Sequence, residues 1–497
     1  MRVLTDRRHY EQIASAIRER RGTGGTLRPG EMAGAIRELP AGDGIPLIGR
    51  FGRELQRLPW QAIEDEAFAP WEEEEPGLRF SCWTRTPREL REEGASPVGA
   101  VYVPRDGWTH LFVRTLAVRR VCLRLRLGPG TWVQVLWGDG SGTSRQAGEE
   151  GSLEVLEHEF LGEEPLREIC VQAQGNLSLG GGTAESAAVE PGGVLESAWV
   201  AEGTGLSDYA LARCAGLREV LLPPGAQLGR YALSQCTALR EVTLPPGLLG
   251  EDARQGRLPE GLLSGCRGLR DLCLPAGILE AGSFAFSGCP GLRHLSLPRA
   301  VRLEAYVCYG DGALEEVVTG DSLMELGQSA FSGCGALESL HPAQSAQVKG
   351  RLELPGGLET LSSGAFSDCP GLREATLPEG IRVLASGALQ DGAGLLRLTL
   401  PESLTEMGTS CLSGCTSLQE LVVPEGVSRM GLGALRGCTL LRRLVLLPRT
   451  PPRLSGSSAL QGLDGACRLI VPAGCLEEYA GAQYWSALAA QMEEASS

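Results

Sequence analysis

Thiols are the most frequent reactive side chains in this sequence, with 16 cysteines among 497 residues. Half of them follow a short turn such as Phe-Ser-Gly and precede Leu-x-x-Leu-x-Leu-Pro, and this arrangement recurs roughly every 23 residues. Stacked copies would have nearly parallel Cβ vectors, which suits a disulfide poorly. We therefore predict buried free thiols that act as small apolar side chains, with disulfides and metal binding as the alternatives. These anchor cysteines are Cys214, Cys236, Cys266, Cys289, Cys334, Cys369, Cys415 and Cys438.

Other patterns that carry chemistry are missing from the sequence. There is no Cys-x-x-Cys pair, no Gly-x-Ser-x-Gly elbow and no Walker lysine, and the Cys411–Cys415 spacing alone is a weak metal signal. The histidines have no metal-ligand spacing. We therefore expect a protein that is not an enzyme and that has no cofactor and no metal. The histidines are His9, His110, His158, His294 and His341.

The charge balance bears on the class of partner. The formal net charge is −15 and the pI is about 5.1. This argues against nucleic acid and against anionic membrane surfaces, which both select basic proteins. No apolar run approaches the ~18 residues of a spanning helix, so membrane insertion is not expected. The N-terminus shows no signal peptide. That predicts a phage-particle or cytoplasmic location until release, with an extracellular or cell-surface location as the alternative.

The repeated unit predicts a stacked architecture over residues 194–472. Leu-x-x-Leu-x-Leu is typical of a short strand with apolar side chains facing inward, and proline ends it. One unit cannot bury its own apolar face, but stacked units share a continuous core. The unit resembles the BspA-like (Treponema pallidum type) leucine-rich repeat, which implies a solenoid that binds proteins or surfaces. The same resemblance implies that residues 473–497 form a capping helix in which Trp485 closes the end of the stack.

The exposed positions of the predicted strands form charged columns. One column contains Arg218, Arg240, Arg270 and Arg293, and acidic residues follow it along much of the repeat. Mutual neutralisation is one interpretation and a charged binding face is the other. Binding residues are expected instead where the repeat is irregular, because irregular loops on a rigid stack often carry function. Those places are the insertions at 248–261 and 341–357, and Tyr306 and Tyr309 in the unit where Asp311 replaces the anchor cysteine.

Residues 96–182 contain short strand-like runs that predict a small β-sandwich. Trp137-Gly138-Asp139-Gly140 and a later His158-Glu159-Phe160 resemble the PKD-like, immunoglobulin-type domain. In that arrangement Asp139 would cap a sharp turn above Trp137, and one carboxylate offers too few ligands for calcium.

The N-terminal 95 residues divide into two predicted parts. Residues 1–40 predict a helix–loop–helix that resembles a segment found at the start of prophage tail-associated proteins; a generic hairpin for homo-oligomerisation is the alternative. Residues 41–95 are rich in glycine, proline and acid, which predicts a linker.

The whole sequence thus predicts a mostly β, irregular repeat fold: a leucine-rich-repeat solenoid preceded by a small β-sandwich and an N-terminal helical hairpin. The predicted function is non-enzymatic recognition of a protein or surface glycan, as a prophage tail-associated or cell-surface protein. Two alternatives stay open: a BspA-like adhesin that binds host matrix or other bacteria, and an intracellular scaffold.

Overall fold

The computed structural model describes residues 44–48, 54–59, 68, 75–87, 89–90, 98–116, 118–248, 256–275, 277–342, 348–463 and 465–495. The predicted helical hairpin at 1–40 lies outside these residues. The chain forms two compact units, one of residues up to 292 with 296–299, the other of residues 293–295 with 300 onward. None of the described helices has the length and apolarity needed to span a membrane.

The first unit begins with a small sheet. Its strands are β1 (Gly44–Ile48), β2 (Glu54–Pro59), β3 (Leu78–Trp83) and β4 (Val98–Pro104), in the order β2-β1-β4-β3. The buried side chains Leu47, Leu78 and Tyr102 form its core, against which Trp199 and Leu221 pack. Strands β1–β3 lie in residues 41–95, for which the sequence predicts a linker. The difference has a physical reason: short apolar runs between the acidic and proline-rich stretches are buried by residues distant in sequence.

Two further sheets follow in the first unit. Their strands are β5 (Thr109–Arg114), β6 (Arg120–Leu127), β7 (Trp132–Leu136), β8 (Gly142–Gln146), β9 (Ser152–Glu159), β10 (Leu166–Gln174), β11 (Leu177–Leu179), β12 (Val189–Glu190), β13 (Leu195–Trp199), β14 (Thr204–Leu206) and β15 (Glu219–Leu221). One sheet has the order β15-β13-β5-β10-β7-β8, and the other has the order β12-β6-β11-β14 with β9 beside β6. Burial alternates along these strands, as in β6, where Val121, Leu123 and Leu125 are buried. Each sheet therefore has one apolar face, as period-two alternation predicts.

Both sheets continue into the repeats of the first unit. Strand β13 pairs antiparallel with β5 on one side and parallel with β15 on the other, and β15 is the strand after the Cys214 anchor. Strand β14 pairs in parallel with β11, and Leu206 then bridges to Leu228. The strand-rich segment predicted at 96–182 is therefore joined to the solenoid by continuous backbone hydrogen bonding. A 3-10 helix at Gly192–Val194 precedes β13.

The remaining repeats each contribute short strands. In the first unit these are β16 (Arg257–Leu258), β17 (Asp271–Cys273) and β18 (Glu280–Ala281), and β19 (His294–Leu297) has residues in both units. The second unit contains β20 (Arg302–Leu303), β21 (Glu316–Thr319), β22 (Glu325–Leu326), β23 (Ser339–Pro342), β24 (Arg351–Glu353), β25 (Thr360–Leu361), β26 (Glu374–Thr376), β27 (Val383–Leu384), β28 (Arg397–Thr399), β29 (Glu406–Met407), β30 (Glu420–Val423), β31 (Arg429–Met430), β32 (Arg443–Leu446) and β33 (Arg453–Leu454).

The strands of the second unit pair in parallel with the strands of neighbouring repeats. One sheet contains the run β21-β23-β24-β26-β28-β30-β32, and shorter sheets contain β20-β22-β25 and β27-β29-β31-β33. The predicted strand at Leu-x-x-Leu-x-Leu is present. In β30, for example, Leu421 and Val423 are buried, whereas Glu420 and Val422, which alternate with them, are exposed. The mostly β, stacked fold that the sequence predicts is confirmed.

The C-terminal end is closed by a compact group of elements. They are a 3-10 helix (Ser457–Leu460), β34 (Arg468–Val471), helix α1 (Leu476–Gly481), a 3-10 helix (Ser486–Gln491) and β35 (Met492–Glu494). Strand β35 pairs in parallel with β34, so it covers the last strand edge of the sheet. Trp485 is buried and donates its Nε1–H to the carbonyl of Pro452 at 2.8 Å, and the buried Tyr479 hydroxyl donates to Pro448 at 2.7 Å. The end thus consists of more than the single helix predicted at 473–497.

Candidate functional site

Charged side chains follow the exposed strand face of the second unit as alternating ion pairs. Arg397 lies 3.4 Å from Glu374, and Arg443 lies 2.7 Å from Glu420. Arg293, a predicted site residue, lies 3.9 Å from Glu315. Each of these pairs joins adjacent repeats and is largely solvent-exposed, where such pairs contribute about 0–1 kcal/mol. Their geometry supports the neutralisation interpretation for this face.

The other predicted arginines lie in the first unit. Arg218, Arg240 and Arg270 are all exposed, and no residue in the described part of the chain forms an ion pair with them. Each of the three is followed directly in the sequence by an acidic residue, Glu219, Glu241 or Asp271. Burial, followed by the nearby charge of Asp271, raises the pKa of Glu241 above its usual value. The face therefore mixes both signs of charge.

The predicted tyrosine pair lies at a turn of the second unit. Tyr309 is 48% exposed, and its ring centroid lies 5.6 Å from that of the half-buried Tyr306, edge to face. Tyr306 has φ 59°, in the left-handed region that favours glycine. Asp311, which takes the place of the anchor cysteine, is fully buried. This turn presents an exposed aromatic surface, unlike the strand columns.

Sequence reasoning missed that Tyr306 occupies a recurring position, five residues before each anchor. In the other repeats glycine or serine often stands there, for example Gly433 and Ser329, again with positive φ. Four of the first five repeats instead carry a large aromatic side chain at this position, and we name these residues the aromatic ladder. Its members are Tyr209, Tyr231 and Phe284 in the first unit and Tyr306 in the second.

The first two members of the aromatic ladder are packed against each other. The rings of Tyr209 and Tyr231 are parallel, with centroids 5.1 Å apart. The Tyr231 hydroxyl donates to Glu260 at 2.8 Å, and a Cβ added at Gly261 would lie 2.1 Å from the Tyr231 ring. The ring therefore lies over the backbone of the next repeat, which only glycine permits. Burial, with the adjacent Glu260, raises the pKa of Tyr231 above its usual value.

The anchor thiols form a ladder of their own inside the solenoid. All eight are buried free thiols that form no disulfide. Seven of them, all except Cys214, donate to a backbone carbonyl of the preceding repeat: Cys266 Sγ to Leu233 O is 3.2 Å, and Cys438 Sγ to Leu412 O is 3.3 Å. The accepting carbonyl lies three residues before the preceding anchor. The predicted free thiols thus also act as hydrogen-bond donors between repeats, a role that composition alone does not indicate.

Trp137 and Asp139 lie in a polar cluster at the turn between β7 and β8. The Trp137 and His158 rings stack at 4.5 Å, and His158 Nε2 lies 2.7 Å from Asp139 Oδ2. Asp139 Oδ1 accepts hydrogen bonds from the backbone N–H and the hydroxyl of Ser141. Burial opposes ionisation, but these bonds from Ser141 and the contact with His158 lower the pKa of Asp139. The side chain caps the turn, so its role in the structure is local.

The two insertions can be placed only in part. Residues 249–255 and 343–347, which belong to the insertions at 248–261 and 341–357, lie outside the described residues. Their candidacy as binding loops stays a prediction.

Comparison with known proteins identifies the repeat. The family model described as the BspA type leucine rich repeat region matches residues 204–338 and 349–449, in six copies. It confirms the predicted repeat type for these residues. The resemblances to a PKD-like domain and to a prophage segment stay predictions. No curated protein matches the chain.

Several solved structures are similar to the chain. A leucine-rich repeat protein from Bacteroides ovatus is 21% identical, over 73% of this chain and 98% of its own, with a TM-score of 0.44. A leucine rich cell surface protein from Faecalibacterium prausnitzii is 20% identical, over 59% and 82%, with a TM-score of 0.38. The T. pallidum leucine rich repeat protein is 30% identical, over 31% and 67%, with a TM-score of 0.27.

Proposed function

We propose that this chain, which carries BspA-type leucine-rich repeats at residues 204–338 and 349–449, is a non-enzymatic recognition protein that adheres to a bacterial or host surface. The observation that carries the proposal is the aromatic ladder together with Tyr309. A large side chain with positive φ costs about 1 kcal/mol relative to glycine, which other repeats use at the same position. Backbone strain kept at an exposed or half-exposed aromatic position favours a role in binding.

The chemistry of the ladder suits a protein or a glycan ligand. Tyrosine is enriched at binding hot spots because it offers a rigid apolar ring with a polar tip. The tyrosine rings Tyr209, Tyr231, Tyr306 and Tyr309 provide such surfaces. The strand face is less suitable, because its ion pairs on the second unit already satisfy their charges. The net charge of −15 favours partners that are not polyanions.

Prophage tail association is the narrower form of the proposal. It depends on the resemblance of residues 1–40, which lie outside the described residues, whereas adhesion depends on the repeats themselves. The adhesin form is the one that the repeat type favours. An intracellular scaffold would use the same repeats but would bind no cell surface.

The test is a binding assay with the full chain. Labelled protein is added to intact bacterial cells and to immobilised host matrix proteins, with and without periodate oxidation of surface glycans. We expect saturable binding to at least one surface, which unlabelled protein displaces. Loss after periodate identifies a glycan, and retention identifies a protein. If binding to every surface is unsaturable, the recognition proposal is wrong.

A further inference from the structure

One group of side chains outside the repeats has the composition of a metal site. His110, Glu168 and Cys170 each offer a ligand atom, and these atoms all lie within 4.8 Å of one another. His110 stands on β5 and the other two on β10, which pairs with it. His110 and Cys170 are directly opposite each other across the strand pair, and Glu168 lies two residues from Cys170, on the same face of the sheet. No spacing pattern in the sequence indicates this group, because its members come from two separate strands.

The distances suit a small divalent cation. His110 Nδ1 lies 2.7 Å from Glu168 Oε1 and 3.5 Å from Cys170 Sγ. Tetrahedral zinc with its usual bond lengths places nitrogen, oxygen and sulfur ligands about 3.3–3.6 Å apart. The sulfur already lies at that separation. The Glu168 side chain is 47% exposed, so its Oε1 has room to move away from His110 Nδ1 to the separation that zinc ligands need.

The histidine is held in the required orientation from its other side. His110 Nε2 lies 3.0 Å from Asp106 Oδ1, and that oxygen also accepts the backbone N–H of Trp108 at 3.0 Å. A carboxylate on the far nitrogen fixes the ring orientation and the tautomer, with Nδ1 directed at the metal. The ring is 9% exposed and lies beside Trp199, with centroids 5.9 Å apart. The exposed Glu168 leaves the opposite side open to solvent.

We propose that His110 Nδ1, Cys170 Sγ and Glu168 Oε1 bind one Zn²⁺ ion, with Asp106 orienting the histidine. A thiolate, an imidazole and a carboxylate together favour zinc over magnesium or calcium, which take oxygen ligands. Water fills the fourth position, since three protein ligands leave a tetrahedral site open. The ion would tie β5 to β10, in the sheet that β13 continues into the first repeats.

Cobalt reports directly on the proposed sulfur ligand. The full chain, reduced and stripped with a chelator, is titrated with Co²⁺, whose thiolate complexes absorb in the near ultraviolet. We expect one equivalent to bind with this absorption band and one equivalent of Zn²⁺ to remove it. Cys170→Ser should abolish the band. Asp106→Asn should weaken Zn²⁺ binding by about tenfold to 100-fold, the usual effect of losing a histidine-orienting carboxylate.

Matched variants separate the site from other groups. Cys122→Ser, a half-buried thiol of β6, and His158→Gln, the histidine stacked on Trp137, should leave the band unchanged. Glu168→Gln changes the most exposed ligand and should lower the Zn²⁺ affinity at least tenfold without altering metal-free thermal unfolding. The proposal is overturned if the parent chain shows no stoichiometric band, if Cys170→Ser keeps it, or if Glu168→Gln binds Zn²⁺ normally.

Discussion

At the residue scale, the anchor cysteine combines two properties that the repeat needs. Its side chain is small and apolar enough to be buried, and its S–H donates to a carbonyl of the preceding repeat, as Cys369 does to Phe331 at 3.1 Å. Burial raises the pKa of the Cys369 thiol to about 12, and it does the same for Cys214 and Cys438. The neutral thiol is therefore the form that the fold stabilises.

This shift predicts alkaline destabilisation. The thiol pKa is raised from 9.0 to about 12 on folding, so its contribution to stability is complete below pH 9 and is lost as the pH rises towards about 12. Within that window each such thiol lowers the free energy of unfolding by about 1.4 kcal/mol per pH unit. Urea unfolding between pH 8 and pH 11 measures the effect.

The control is a chain with Cys214, Cys369 and Cys438 replaced by alanine. It should be less stable at pH 8, because each substitution removes a buried side chain and, at Cys369 and Cys438, a hydrogen-bond donor. Its stability should also depend less steeply on pH. An unchanged pH slope would mean that these thiols ionise equally in both states.

At the element scale, each turn of the solenoid needs residues with positive φ before the anchor. The residue directly before the anchor is often glycine, as at Gly265 and Gly437, and so is the residue five before it, as at Gly261 and Gly433. This explains the recurring Gly-x-x-x-Gly-Cys pattern by backbone geometry. Where non-glycine residues stand, as at Tyr231, the turn keeps its conformation at a cost in strain.

A glycine substitution tests this reading of the turn. Gly437→Ala should lower the free energy of unfolding by about 1 kcal/mol, because φ is 76° there while the nearest atom to an added Cβ is 3.7 Å away. Gly465→Ala is the matched control: Gly465 has no positive φ and nothing lies within 4 Å of its added Cβ. Chemical denaturation of both variants should show a lower free energy of unfolding for Gly437→Ala alone. Equal losses would contradict the assignment of strain to φ.

The C-terminal closure makes a second prediction at this scale. Trp485→Ala should destabilise the second unit by about 3–5 kcal/mol, because it removes a large buried side chain and leaves the Pro452 carbonyl without its indole donor. Tyr484→Ala, at a neighbouring side chain that is 38% exposed, is the control and should cost far less. Thermal unfolding of both variants checks the difference. Similar midpoints would show that Trp485 does not stabilise this end of the chain.

At the scale of the whole molecule, the repeats were predictable and their junction with the preceding strands was not. The motif recurs in phase, so Leu269, Leu272 and Leu274 could be assigned to the interior from sequence alone, and Leu272 is the central residue of β17. The pairing of β13 with β5 depends on residues that are far apart in the chain and follow no period. The aromatic ladder was not predicted, since its position is aromatic in four repeats and glycine or serine in the others.

The continuous sheets predict that a fragment of residues 183–497 is compromised. It lacks β5, β6 and β11, which pair with β13, β12 and β14 in the first unit, and so exposes their edges and the buried Leu195 and Ala198. We expect the first unit of this fragment to unfold at a lower temperature than in a fragment of residues 44–497, which retains every described strand. Calorimetry of both fragments makes the comparison. Identical transitions would mean that the earlier strands form an independent domain.

Recognition by this chain is proposed to reside in the aromatic turns and not in the charged strand face. One measurement compares surface binding of two variants of the full chain. In the first variant, Tyr209, Tyr231, Tyr306 and Tyr309 become serine. Serine is chosen because two other repeats have it at the ladder position, as Ser329 and Ser410. In the second, Arg218, Arg240, Arg270 and Arg293 become glutamate. Circular dichroism first establishes that both variants are folded. We then predict at least a tenfold loss of affinity in the tyrosine variant and near-parental affinity in the arginine variant. Retained binding by the tyrosine variant, with loss in the arginine variant, would contradict the account and assign recognition to the strand face.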